Sequence, residues 1–138
     1  MIKALALMLA MAFSGGGETA ADPYAVGQVW EYRTRPQETQ SLLMIREIED
    51  RPTIGRVYHV SILGIRPDAT WGPNQIDHSP VSRKTLDASV TRLSSKRPEA
   101  PDYRPGIADW RAARGGVFTI SIAEIVDLID QQLSGAGN

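Results

Sequence analysis

The chain reads as a small α+β domain: an antiparallel β-meander of three to five strands packed by two or three helices, with the C-terminal helix covering the sheet. Three observations predict it. Residues 28–65 hold three runs rich in β-branched and aromatic side chains, QVWEYRT at 28–34, SLLMIREIE at 41–49 and RVYHVSILGI at 56–65. Two proline-bearing segments, RPQETQ at 35–40 and DRPTIG at 50–55, separate them with turn chemistry. Near the C-terminus, apolar residues at 122, 125, 126, 129 and 133 recur at helical spacing behind a Ser-x-x-Glu capping sequence.

Ahead of the strands, one positive charge at Lys3 precedes the apolar run ALALMLAMAF at 4–13 and a small-residue stretch ending Thr19-Ala20-Ala21. That order is the n-, h- and c-region of a signal peptide. The apolar run is half the ~20 residues that a membrane span needs. The expectation is a leader at 1–21, a single domain at 22–138, a periplasmic or secreted location, and no stable membrane insertion once the leader is removed. If the leader is a start-site artefact, the protein is cytoplasmic.

In the first strand Trp30, Tyr32 and Thr34 share the inward face, while Glu31, Arg33 and Arg35 share the other with Val29. The second strand has Leu42 to Ile45 in succession, a pattern covered on both sides. In the third, Tyr58, Val60 and Ile62 alternate against Val57, His59, Ser61 and Leu63. RPDATWGPN at 66–74 is a loop by composition, and a short fourth strand follows at Gln75–His78, closed by Pro80. Ser82 caps a surface helix running to about Ser94, with Leu86, Val90 and Leu93 on its apolar side. A polar connector, SKRPEAP at 95–101, leads to a helix over Pro105–Arg114 that places Ile107 and Trp110 on one face and stops at Gly115-Gly116. Val117–Ile120 is read as an edge strand. Ser121 and Glu124 then open the last helix, and Ser134–Asn138 is read as a frayed tail.

Formal net charge is −1, with a sequence pI near 6.1, so no global field favours nucleic acid or an anionic membrane surface. The bases concentrated between Arg83 and Arg114, followed by the acidic helix that carries Glu124, Asp127 and Asp130, are read as intramolecular complementarity or a solvated face and not as a ligand footprint. There is no cysteine, which excludes disulfides, thiolate nucleophiles and cysteine-ligated metal.

Histidine is the first place to seek chemistry, and the chain has two, His59 and His78. With Asp77 they are candidates for a metal site or an oriented general base, because imidazole titrates near neutrality and a carboxylate can orient it. No H-E-x-x-H, H-x-H, G-x-S-x-G or phosphate-loop sequence occurs. No cofactor is implied. Trp30, Tyr32, Arg33 and Arg35 interleave aromatics with arginines, but strand alternation separates the two classes onto opposite faces, so nucleic acid is not the expected partner. Trp71, flanked by Arg66, Asn74 and His78, is either an aromatic anchor for a ligand or a lid folded back on the core. The candidate ligand-binding set is Trp71, Arg66, Asn74 and His78 with the strand-end residues Arg33 and Arg35.

The run Gly27-x-Val29-Trp30-x-Tyr32-x-Thr34-Arg35-Pro36, Leu43-x-Ile45 and Gly55-Arg56-Val57-Tyr58-His59-Val60 resembles an uncharacterised family of small bacterial proteins, and the similarity extends to 81–93 and 117–129. The resemblance implies no catalytic residue. It implies that many relatives begin near Tyr24, which makes the leader an accessory or a start-site artefact. The opening Gly-x-Val-Trp is also similar to SH3-like small barrels, a match too short to carry function. The reading ranked first is a small exported protein that binds or inhibits, with an unidentified protein or small molecule as ligand. The alternatives are a hydrolytic or metal-assisted enzyme using His59, His78 and Asp77, and a structural envelope protein without a discrete site.

Overall fold

The computed structural model describes residues 21–67 and 73–136. Among them five strands form one antiparallel sheet: β1 Val29–Tyr32, β2 Leu42–Arg51, β3 Gly55–Leu63, β4 Gln75–Val81 and β5 Val90–Ser94. Their order is β4-β3-β2-β1-β5, a four-strand meander with β5 added beside β1. The helices are α1 Arg83–Ser89, α2 Arg104–Ala112 and α3 Ile122–Ala136. The β2–β3 hairpin pairs Arg51 with Gly55, and Gly55 takes the positive φ (+82°) that so short a turn demands. Residues 1–20 of the expected leader, and Trp71, lie outside the described residues.

One face of the sheet is apolar. Leu43 and Ile45 of β2, Tyr58, Val60 and Ile62 of β3, and Val81 of β4 form a buried cluster with Leu86 of α1 and Ile122, Ile125 and Val126 of α3. Each such side chain contributes about 1.5–3 kcal/mol by leaving water. The helix start is built as the Ser-x-x-Glu spacing predicts: the Ser121 hydroxyl accepts from the Glu124 N–H at 3.2 Å, and the Glu124 carboxylate accepts from the Ser121 N–H at 3.0 Å. An ion network centred on buried Arg35, Glu38 and Arg66 locks the other side of α3. Arg35 donates to both Glu38 oxygens (2.9 and 2.8 Å), to Asp130 (2.7 Å) and to Asp127 (3.1 Å), while Arg66 pairs with the second Asp130 oxygen. Asp127 and Asp130 of the last helix therefore face Arg35 and Arg66, while Glu124 is held by Ser121. The bases of 83–114 pair elsewhere, for example Arg92 with Glu31 and Arg104 with Asp102.

Four boundaries differ from expectation. The helix opened by Ser82 ends at Ser89, and Val90–Ser94 pairs with β1 instead. β-Branched Val90 and Thr91 suit the free edge of β1, and Arg33 closes the helix by donating from its backbone N–H to the Ser89 carbonyl and from Nη1 to the Ala88 carbonyl. Leu93, expected on a helical apolar face, is 52% exposed on this edge strand. β4 runs through Pro80 to Val81, which an edge strand permits because proline's missing donor lies at the sheet's rim. Among the described residues, Val117–Ile120 contributes a single bridge, Phe118 to Val81, and no strand. The tail expected to fray from Ser134 stays helical to Ala136.

Candidate functional site

The site begins with two interruptions of strand alternation. With Leu43 and Ile45 facing the apolar core, period two would put Glu47 and Glu49 there as well. A β-bulge at Arg46 prevents this: the ladder steps from Ile45↔Val60 to Glu47↔His59, which turns both glutamates to the opposite face. A second bulge lies across β3. Val60 pairs with Ser79 and Ile62 with Ile76, leaving Asp77 and His78 together opposite Ser61. Fully buried His59 is thereby flanked by a carboxylate from β2 and an imidazole from β4.

The three groups form a hydrogen-bonded chain. His59 Nε2 is 2.6 Å from Glu49 Oε2, and His59 Nδ1 is 2.8 Å from His78 Nε2. The imidazole centroids are 5.0 Å apart and the ring planes 27° from parallel, so the two rings meet edge to edge through that bond. Helix α2 closes over them. Trp110 sets its ring edge-on to His59 (4.8 Å between centroids) and to His78 (6.5 Å), and its indole N–H donates to the Gly116 carbonyl at 2.8 Å. Arg111 donates to Glu49 Oε2 at 2.9 Å. Tyr103, just ahead of α2, donates to Glu47 at 3.1 Å. The helix comes this close because residue 106 is glycine; a Cβ there would lie 2.6 Å from the His78 Cβ.

Burial pushes the Glu49 carboxyl up, but the hydrogen bonds from His59 and Arg111 outweigh it and hold the pKa below the ordinary value. Glu49 is therefore a carboxylate at neutral pH. Burial lowers His59 against the opposing pull of Glu49. Burial, and then the neighbouring His59, lower His78 to about 4. Both imidazoles are neutral at pH 7. Both nitrogens of His59 are engaged by protein partners, and among the described residues no three His, Asp or Glu side chains converge on a position suited to a metal ion.

His78 also lines an open cleft of about 530 Å³ between β4, α2 and α3. Ile76, Ile129 and Leu133 supply apolar wall, Asp77, Asp102 and Asp109 supply carboxylates, and no lysine or arginine among the described residues lines it. Asp102 is paired with Arg104 at 2.9 Å, whereas Asp77 and Asp109 have no cationic partner among the described residues. A second cavity of about 370 Å³ at the other end of the sheet is lined by polar groups of β1 and the β5 edge, among them Arg92, already held by Glu31, and Lys96.

Comparison with protein-family models, with curated proteins and with solved structures finds no match. The site is therefore read from its own geometry.

Of the residues singled out in the sequence, His59, His78 and Asp77 come together, with Asp77 in a different position from the one expected. Its carbonyl accepts from Ser61 at 2.8 Å, its carboxylate accepts from Gln75 at 3.4 Å, and the residue lines the cleft, so the acid on His59 is Glu49. Arg35 and Arg66 are buried in the ion network on α3, and Arg33 caps α1, so these three do not join His78. Asn74 is exposed at the start of β4, its carbonyl accepting from the Ile65 N–H at 2.9 Å. Glu49 and Arg111 are not among the candidates the sequence offers, and Trp110 stands out there only as sharing a helix face with Ile107. The bulge at Arg46 carries no sequence signal, and without it alternation points Glu49 the wrong way.

Proposed function

We propose that the protein is a small exported binding module whose cleft between β4, α2 and α3 receives a ligand joining positive charge to apolar surface. The observation that carries this reading is the lining of the cleft: apolar Ile76, Ile129 and Leu133 beside two carboxylates, Asp77 and Asp109, that no cation among the described residues neutralises. Apolar surface left open beside unpaired charge favours an occupant that supplies both complements, since burial gives affinity and the carboxylates orient and steer. Calorimetric titration with hexylammonium tests it. Binding that weakens several-fold in Asp77→Asn/Asp109→Asn, weakens with added salt and is not reproduced by hexanoate is expected. A double variant that binds as well as the parent contradicts the reading, as does a parent that takes up no ammonium.

The Glu49–His59–His78 chain favours a second reading, a hydrolase with His78 as general base. Two observations rank it lower. A base with a pKa near 4 accepts protons poorly at neutral pH, and no serine or threonine is among the described residues lining the cleft. Turnover of p-nitrophenyl acetate that survives in His78→Asn would remove it.

A further inference from the structure

Proton positions in the buried chain are fixed by elimination, starting from its inner end. Glu49 is a carboxylate that also accepts from Arg111, so it offers only lone pairs, and the 2.6 Å contact requires the proton on His59 Nε2. Neutral His59 then has a lone pair at Nδ1. The 2.8 Å contact to His78 therefore needs a proton on His78 Nε2. Neutral His78 is left with a bare Nδ1, to which no described protein group donates. His78 lines the cleft, and its Nδ1 lies beside Gly106, itself a lining residue, 3.0 Å from where a Cβ on that glycine would sit. We infer that Glu49, acting through His59, holds His78 in the tautomer that presents Nδ1 to the cleft as a hydrogen-bond acceptor, so the ligand is one that donates an N–H there: a protonated amine attached to an apolar group.

The inference rests on the cleft being the binding site and adds which atom reads the ligand and why. Glu49 is a positioning residue in this scheme; it touches His59, Arg111 and Arg51, not the ligand. An acceptor at Nδ1 discriminates by donor count. An ammonium supplies a donor to the imidazole and further donors to Asp77 or Asp109, a hydroxyl supplies one donor only, and a tertiary amide or ether supplies none.

The test reads tautomers directly, on the full chain, by long-range ¹H–¹⁵N NMR correlation at pH 7.5. The expected pattern is a protonated Nε2 and a bare Nδ1 on both histidines, with the His78 Nδ1 resonance moving on addition of hexylammonium and not of hexyl methyl ether. A His59 protonated on both nitrogens, or a His78 protonated on Nδ1, overturns the inference even if ligands bind. Equal movement with amine and ether overturns it too. If neither compound shifts any cleft resonance, it is the binding reading that has failed, whatever the tautomers. Glu49→Gln supplies the second measurement: its amide can donate as well as accept, so His59 and His78 should lose the single tautomer while a shape-only role for Glu49 would leave it intact.

Discussion

At the scale of single residues, His78 couples stability to pH in a direction its surroundings dictate. An unfolded chain binds a proton at this side chain near pH 6.5, and the folded chain does so near 4 because burial and His59 oppose the charge. Between those values the unfolded state holds more protons, so stability falls as pH falls. The contribution of His78 is complete above about pH 6.5 and is lost progressively towards 4. His59, also lowered, acts with the same sign. Urea midpoints measured from pH 7 down to pH 4 should decline in the parent and decline less steeply in His78→Asn; identical slopes would mean that His78 is not buried against His59 as described. Arg35 shows the opposite use of charge. Its side chain is 7% exposed and makes four hydrogen bonds, to Glu38, Asp127 and Asp130, which explains why this arginine is unavailable to a ligand.

Among the elements, α3 was the most legible, because its start is written in local chemistry. The capping box and the spacing of Ile122, Ile125 and Val126 identify both its first turn and its buried side. Ser121→Ala should cost about 1 kcal/mol, read as a lower urea midpoint with an unchanged slope; an unchanged midpoint would remove the cap from the account. The strand meander was legible for a similar reason, since turns and β-branched runs alternate along 28–65. The end of α1 was not. Leu86, Val90 and Leu93 keep helical spacing, and what stops the helix at Ser89 is a tertiary event: the free edge of β1 and the Arg33 cap. The site was half legible. Two histidines among 138 residues invite pairing, and they do pair. Glu49 was hidden because one unpaired residue, Arg46, reverses the parity of everything after it in β2.

For the molecule as a whole, the sheet separates two kinds of interior. One face is a hydrocarbon core closed by α1 and α3. The other carries Glu47, Glu49, His59, Ser61 and His78 beneath α2, whose buried apolar anchors are Ile107 and Trp110. Buried polar groups persist where each finds a partner, and here two bulges, Arg111, Tyr103 and Gly106 supply the partners and the room. No helix of the described residues is long and apolar enough to cross a membrane. Both functional proposals grow from the closeness of α2 to the two imidazoles. A NOESY spectrum of the full chain at neutral pH measures that closeness most directly. Cross-peaks from the Trp110 indole to the His59 ring, and from the Gly106 α-protons to His78, are expected; a Trp110 ring without contact to either histidine would contradict the site itself.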